Sequence, residues 1–297
     1  MKKKILFIIN PKSGTGRHRR VPDKLKTYLD KEQFEYTICK TRYAGHATEL
    51  ARKAVEEGTY MVVSVGGDGT LNEVVRALVG TQTVMGIFPT GSGNGLAHHL
   101  HIPFNLKKAV YMLNEGHVES MDTVSVNDRV YASIAGVGFD AFIAEKYAHV
   151  RRRGFFPYLH LAVTNYLHYQ PRTYILENES KVVKVKALLV SFANSSQWGF
   201  DVKISPEASV QDGLVNVTAV QKPPLAALPW LVLFLLSGNL NRIDKYVKIY
   251  KFQNFKLRAE DGSDLYTHLD GDFAGKQKEV DVRMHPMSLR MAMKRTY

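Results

Sequence analysis

Three glycine-rich turns, each at the end of a run of apolar residues, constrain this chain more than any other feature. NPKSGTG (Asn10 to Gly16) follows KILFIIN, GGDGT (Gly66 to Thr70) follows YMVVSV, and PTGSGNG (Pro89 to Gly95) closes TVMGIFP. Continuous apolar runs of this length read as strands buried on both faces of a sheet. Helical patterns separate them. Ala47, Leu50, Ala51, Ala54 and Val55 recur at i, i+3, i+4, i+7 and i+8 between His46 and Gly58, and Leu71, Val74, Val75, Leu78 and Val79 repeat the spacing. FEYTICK supplies a further strand. Strands alternating with helices predict a mostly parallel α/β sheet. In such a sheet the carboxyl ends of the strands line the ligand crevice. Glycine lets backbone approach a ligand closely, and helix N-termini suit phosphate. Three such turns on one edge therefore predict a phosphate-rich ligand. The chain has no GxxxxGK[ST] and no GxGxxG after the first strand, which excludes a Walker-A protein and a dinucleotide dehydrogenase.

The pattern changes after about residue 125. Val280, Val282 and Met284 alternate with charged residues, as do Leu289, Met291 and Met293 with Arg290 and Lys294. KVVKVKALLVSF and KYVKIYKFQNFKLRA each read as strand. Helical signals are confined to the stretches near 140–169 and 223–237. The expected architecture is α/β plus all-β. An α/β domain covers 1–125 and an antiparallel β-sandwich covers 126–297, with the last strands as candidates to return to the first domain.

Composition narrows the partners. The 297 residues carry a formal net charge of +12, which suits an anionic partner. Cys39 is the one cysteine, so no disulfide forms within the chain and a reducing, cytoplasmic setting is expected. The most apolar stretch, Leu225 to Leu236, is shorter than the roughly 20 residues a spanning helix needs. It reads either as a buried helix or as one lying in a membrane interface. Aromatic residues gather between Phe139 and Tyr174, with Arg151, Arg152 and Arg153 in their midst. That segment reads either as a small helical core or as an acyl-chain cleft meeting an anionic membrane, with Phe155 and Phe156 placed to insert. Nothing resembles an RNA- or single-strand-binding motif, so no nucleic-acid partner is expected. His98, His99 and His101 follow the third turn without a carboxylate or cysteine at ligand spacing, and are read as surface or packing residues.

Asp68 lies inside the second turn. It can cap a helix or hold Mg²⁺ beside phosphates.

NPKSG, SVGGDGTLNEVV and FPTGSGNGLA, in this order, resemble the diacylglycerol-kinase catalytic family, which includes bacterial lipid kinases and the sphingosine and ceramide kinases. SPEASVQDGLVNV resembles the family's metal-binding segment, and HLDGDF its DGE motif. The resemblance implies a nucleotide domain of the NAD-kinase and phosphofructokinase type, a β-sandwich second domain, and ATP with Mg²⁺ as cofactors. It implies nucleotide-binding roles for Asn10, Lys12, Ser13, Gly14, Thr41, Gly66, Gly67, Asp68, Gly69, Thr70, Leu71, Asn72, Glu73, Ser92 and Asn94. It implies a metal site at Asp212 with Ser209 and Leu214, joined by Asp68, and catalytic acids at Asp270, Asp272 and Asp68. Gly95 stands where many bacterial members have Asp, and Asp272 where the family has Glu. The implied activity is transfer of the γ-phosphoryl group of ATP to a lipid hydroxyl, by an enzyme peripheral to the inner face of the membrane and able to form a homodimer. The alternatives are a soluble-substrate kinase of the NAD-kinase type and a nucleotide-binding regulator without catalysis.

Overall fold

The apolar runs become strands whose ends fall on a common edge. A computed structural model describes residues 2–14, 16–150, 155–199 and 202–294, so the Arg151 to Arg153 run lies outside the described residues. The chain divides into two units, 1–123 with 286–297, and 124–285.

In the first unit the order is β1 (Lys3–Ile9), α1 (Val21–Tyr28), β2 (Phe34–Lys40), α2 (His46–Glu56), β3 (Met61–Gly66), α3 (Asp68–Leu78), β4 (Val84–Pro89), α4 (Gly95–His99), α5 (Leu106–Glu115) and the start of β5 (Val118–Val126). The sheet order β2-β1-β3-β4 is parallel throughout. Every residue of β3 and β4 is buried, which is why their sequences are continuous apolar runs rather than alternating ones. Ile9 lies opposite Lys40 on one side and Val65 on the other, and Gly66 opposite Pro89. The strand order reverses direction between β1 and β3, and ligand crevices form at such switch points.

The second unit continues with β6 (Arg129–Tyr131), β7 (Ile134–Gly138), α6 (Phe139–Ala148), α7 (Phe155–Tyr166), β8 (Arg172–Glu177), β9 (Val182–Ala187), β10 (Leu189–Ala193), β11 (Val215–Val220), α8 (Leu228–Ser237), β12 (Val247–Phe252), β13 (Asn254–Ala259), β14 (Leu265–Leu269), β15 (Asp272–Gln277) and β16 (Glu279–Ala292). One antiparallel sheet runs β12-β11-β10-β7-β14-β15. The other runs through β13, β8 and β9, with the first residues of β16 paired to β13. Val190, Phe192, Val217, Leu257, Val280 and Leu176 meet in the core between these sheets. On the other face of the β12–β15 sheet, α6, α7 and α8 pack over a second cluster that includes Phe139, Ile143, Ile204 and Val247.

Two sequence-based strands divide. KVVKVKALLVSF is β9 and β10, and KYVKIYKFQNFKLRA is β12 and β13, and in each case the halves lie in different sheets. The positions that enter the core between the sheets run Val183, Val185 and Ala187, then Val190 and Phe192. The alternation changes parity at Leu188, as it must where a strand turns the corner between packed sheets. A similar parity change between Met284 and Leu289 falls within β16, at Met287, whose φ is 50°. Beyond it the chain belongs to the first unit. There Ser288 O accepts from Gly80 N at 2.8 Å, Asp122 Oδ1 from Met287 N at 2.7 Å, and Met291 pairs with Met85 of β4.

The aromatic segment is largely a core of its own. Phe139, Tyr166 and Tyr174 are buried. Phe139 and Phe142 both touch the Tyr169 ring, and Tyr147 meets Tyr158 edge-on. Phe156 is 80% exposed.

Candidate active site

All three glycine turns stand at the carboxyl edge of the parallel sheet, and they are tied mainly to one another. Asn10 Nδ2 donates to Thr70 Oγ1 at 2.9 Å, joining the first turn to the start of α3. Ser13 Oγ lies 3.1 Å from Thr90 Oγ1, joining the first turn to the third. Gly66 O accepts from Thr90 N at 2.9 Å and Gly91 N at 3.0 Å, joining the second to the third. The glycines make this possible. A Cβ on Gly14, whose φ is +58°, would meet Thr90 O at 1.8 Å, and one on Gly91 would meet Gly67 Cα at 2.3 Å. The sequence suggests that these glycines admit a ligand, yet at Gly14 and Gly91 the backbone admitted is that of a neighbouring loop.

The acids of α3 act in the same way. Asp68 Oδ2 accepts from Asn94 N at 2.8 Å and Oδ1 from Gly95 N at 2.9 Å. Asp68 therefore caps α4. Asn94, at φ 52°, turns the chain into that cap, and its amide closes a ring with Gly91 N and O. Glu73 Oε1 accepts from Gly45 N at 2.8 Å and Oε2 from Ala47 N at 3.0 Å, which caps α2. Both carboxylates complement the positive ends of neighbouring helices. Glu73 thus holds the segment after Thr41, whose own N–H donates to Ile9 O at 2.9 Å. Lys12 and Ser92 are exposed on the loop surfaces, and Gly69 is exposed at the start of α3, while Leu71 packs into the core. Asn72 is 3% exposed and its Oδ1 has no partner. Thr90, 1% exposed, is a site residue the sequence reading passed over. Its signal was a hydroxyl at the first position after β4.

His99, in the helix that carries the third turn, is pushed down to about 4, chiefly by burial and secondarily by His101. The unfolded chain, with its histidine near 6.5, binds a proton between these values that the folded chain does not. Stability linked to His99 is therefore complete above about pH 6.5 and is lost as pH falls toward 4. The melting temperature is expected to fall across that window, and less so in His99→Gln. Superimposable pH profiles of the two proteins would contradict this.

In the second unit Asp270 sits at φ 48° between β14 and β15. Its carboxylate accepts from Ser133 N at 3.0 Å, Ile134 N at 2.9 Å and Ala132 N at 3.3 Å. Its own N–H donates to Ile134 O at 2.8 Å. Hydrogen bonds of this kind fix a carboxylate's orientation. Asp272 opens β15 and is exposed. Near them lies a buried pair absent from the sequence reading, His268 Nε2 at 2.9 Å from Asp140 Oδ2. Gly136 leaves room for both side chains. The sequence signals were GFDA at a helix start and the histidine two residues before DGD.

The metal-like segment is less complete. Asp212 Oδ1 accepts from Leu214 N at 3.1 Å, Ser209 Oγ accepts from Gln211 N at 3.2 Å, and Lys251 Nζ stands 3.9 Å from Asp212 Oδ2. Among the described residues no three side chains of ligating type come together. In this segment Asp212 is the one carboxylate of the implied Mg²⁺ site, which Ser209 and Leu214 would complete with main-chain oxygens.

Comparison with known proteins identifies the family. Residues 4–126 match the diacylglycerol kinase catalytic domain, and residues 133–293 the YegS C-terminal NAD kinase beta sandwich-like domain. A diacylglycerol kinase of Staphylococcus saprophyticus is 26% identical over 281 residues, covering 93% of this chain and 91% of the relative. One of Staphylococcus aureus is 28% identical over 282 residues, covering 93% and 88%. A Bacillus anthracis structure provisionally described as a diacylglycerol kinase superimposes with a TM-score of 0.79 at 18% identity, covering 98% of this chain and 97% of the other, and so shares the fold. The two domain matches take in nearly the whole chain, which belongs to the diacylglycerol-kinase family of bacterial lipid kinases.

Proposed function

We propose that the chain transfers the γ-phosphoryl group of ATP, carried with Mg²⁺, to the free hydroxyl of diacylglycerol. The observation that carries this reading is the interlocked edge at the β1/β3 switch point, where the three glycine turns are tied to one another and the exposed Lys12 brings positive charge for a polyphosphate. Phosphoryl transfer is mostly positioning and charge stabilisation. Locking the turns to one another supports that demand, because the loops need not reorganise around each nucleotide. Asp270 orients the acceptor hydroxyl and accepts its proton. The hydroxyl oxygen bonds to the γ-phosphorus as the bond to the β–γ bridging oxygen breaks, giving phosphatidate and ADP.

The names of the relatives, diacylglycerol kinases, support diacylglycerol as the acceptor. A soluble-substrate kinase and a non-catalytic nucleotide binder are not favoured in this family. We place the enzyme at the inner face of the membrane, where such an acceptor resides. Among the described residues no helix is long and apolar enough to cross a membrane. Radiolabelled ATP offered with diacylglycerol, monoacylglycerol and a sphingoid base should label diacylglycerol at the highest kcat/KM. Label preferentially on another lipid would change the acceptor, and label on none would end the kinase reading.

A further inference from the structure

The outer faces of α7 and α8 are built the wrong way round for contact with water. A surface helix normally turns an apolar stripe inward and polar residues outward. Phe156, Leu159, Val163 and Leu167, at i, i+3, i+7 and i+11, form an outward stripe along and just past α7, exposed by 80%, 43%, 65% and 58%. On α8, Pro229, Val232, Leu233 and Leu236 form a second outward stripe at i, i+3, i+4 and i+7, with Trp230 beside it 63% exposed. Inward, Tyr158, Leu161 and Ala162 of α7 and Leu228, Leu231, Phe234 and Leu235 of α8 pack against one shared cluster. No residue of α8 is fully buried, so Leu225 to Leu236 holds a helix packed on one side only.

The charges define what covers this face. Neither helix contains Asp, Glu, Lys or Arg. Lysines stand at the ends instead. Lys222, just before the α8 segment, donates from Nζ to Leu167 O at 3.1 Å and Tyr169 O at 2.8 Å, which fastens it to the end of α7. The adjoining Pro223 O accepts from Tyr166 Oη. Lys203 donates from its backbone to Leu235 O at 2.9 Å, and its side chain lies against Gly238 at the end of α8. An uncharged apolar centre with lysines at its ends and an exposed tryptophan matches the layered chemistry of a membrane interface. Ten and twelve residues make helices of about 15 and 18 Å, too short to cross a bilayer of about 30 Å but able to lie along its surface. The net charge of +12 favours an anionic leaflet.

We infer that α7 and α8 form a membrane-docking face that lies in the interface of an anionic bilayer, with Trp230 and the two apolar stripes inserted and Lys203 and Lys222 at the headgroups. The inference rests on the lipid-kinase reading for its biological sense, but its test does not depend on turnover. The full chain and the double variant Leu233→Asp/Leu236→Asp are sedimented with vesicles of phosphatidylglycerol and phosphatidylcholine. Both substituted side chains are exposed, so the variant should keep the parent's melting temperature. Its vesicle partition coefficient is expected to drop at least tenfold. Turnover of diacylglycerol presented in vesicles should fall with it, whereas turnover of a short-chain, water-soluble diacylglycerol stays within twofold. The blue shift of tryptophan emission on adding vesicles should vanish in Trp230→Phe, which retains Trp198. Equal vesicle binding by parent and double variant would overturn the docking face even if both phosphorylate soluble diacylglycerol. Loss of docking in the variant, with no lipid phosphorylated by either protein, would uphold the face and end the kinase reading. A parent that sediments as a dimer and a variant that is monomeric, with vesicle binding unchanged, would assign the face to a second copy of the chain and overturn the proposal.

Discussion

Asp68→Ala is expected to lower turnover of diacylglycerol by about a hundredfold or more while the protein remains folded. The carboxylate is the acceptor for Asn94 N and Gly95 N at the start of α4. Removing a helix cap costs about 1–2 kcal/mol, a tolerable part of a typical stability of about 5–15 kcal/mol. The damage to activity is larger because Asn94 and the start of α4 lose their hold on the second turn, leaving only the Gly66 O bonds between the two turns, and a displacement of about 1 Å in a positioned site can cost about 10²-fold. Asp68→Asn should fall between the two proteins, since its amide offers one acceptor oxygen and turns an N–H donor toward another donor. Steady-state turnover measured beside the melting curve checks this. An Asp68→Ala protein within threefold of the parent would show that α4 is held without the carboxylate.

Asp270→Ala is expected to remove nearly all turnover and to leave ATP affinity within about twofold. Asp270 belongs to the second unit, whereas every nucleotide-loop residue discussed above belongs to the first. Its loss should therefore act on the acceptor hydroxyl rather than on the phosphate loops. A positioned base typically contributes about 10²–10⁴-fold. The substitution also leaves the N–H groups of Ala132, Ser133 and Ile134 without their acceptor. At about 1–3 kcal/mol for each buried donor left unsatisfied, a lower melting temperature is expected as well. Asp270→Asn separates the two effects, because it keeps an acceptor oxygen for that turn and removes the charge. Turnover near that of the parent in Asp270→Asn would assign Asp270 to holding the loop alone. ATP affinity is read by calorimetry on the same samples.

The sequence by itself determined the elements of the first unit and the edge on which its turns gather. KILFIIN, YMVVSV and TVMGIFP can be strands only if both faces are covered, and the intervening helices supply that cover. FEYTICK spans β2 residue for residue. The motifs also led to the family, because Asn10, the GGDGT turn and GSGN are local strings that reading along the chain preserves. Tertiary structure decided which atoms each of these residues holds. Asp68 and Glu73 sit five residues apart on α3 and cap two different helices, and no spacing rule links Asp68 to Gly95 or Glu73 to Gly45. Gly14 looks like a ligand contact in sequence, and only the fold brings Thr90 O against it. The buried Asp140–His268 pair joins residues 128 positions apart, one on a helix and one on a strand. The corner at Leu188 was present in the sequence only as a lost beat in the alternation. That signal shows where a strand changes face, but not which sheet it joins, because hydrogen-bond partners and covering helices come from distant parts of the chain. The apolar run of α8 shows the limit most directly. Its hydrophobicity is legible in the sequence, but whether it faces a core or the outside depends on what else is packed against it.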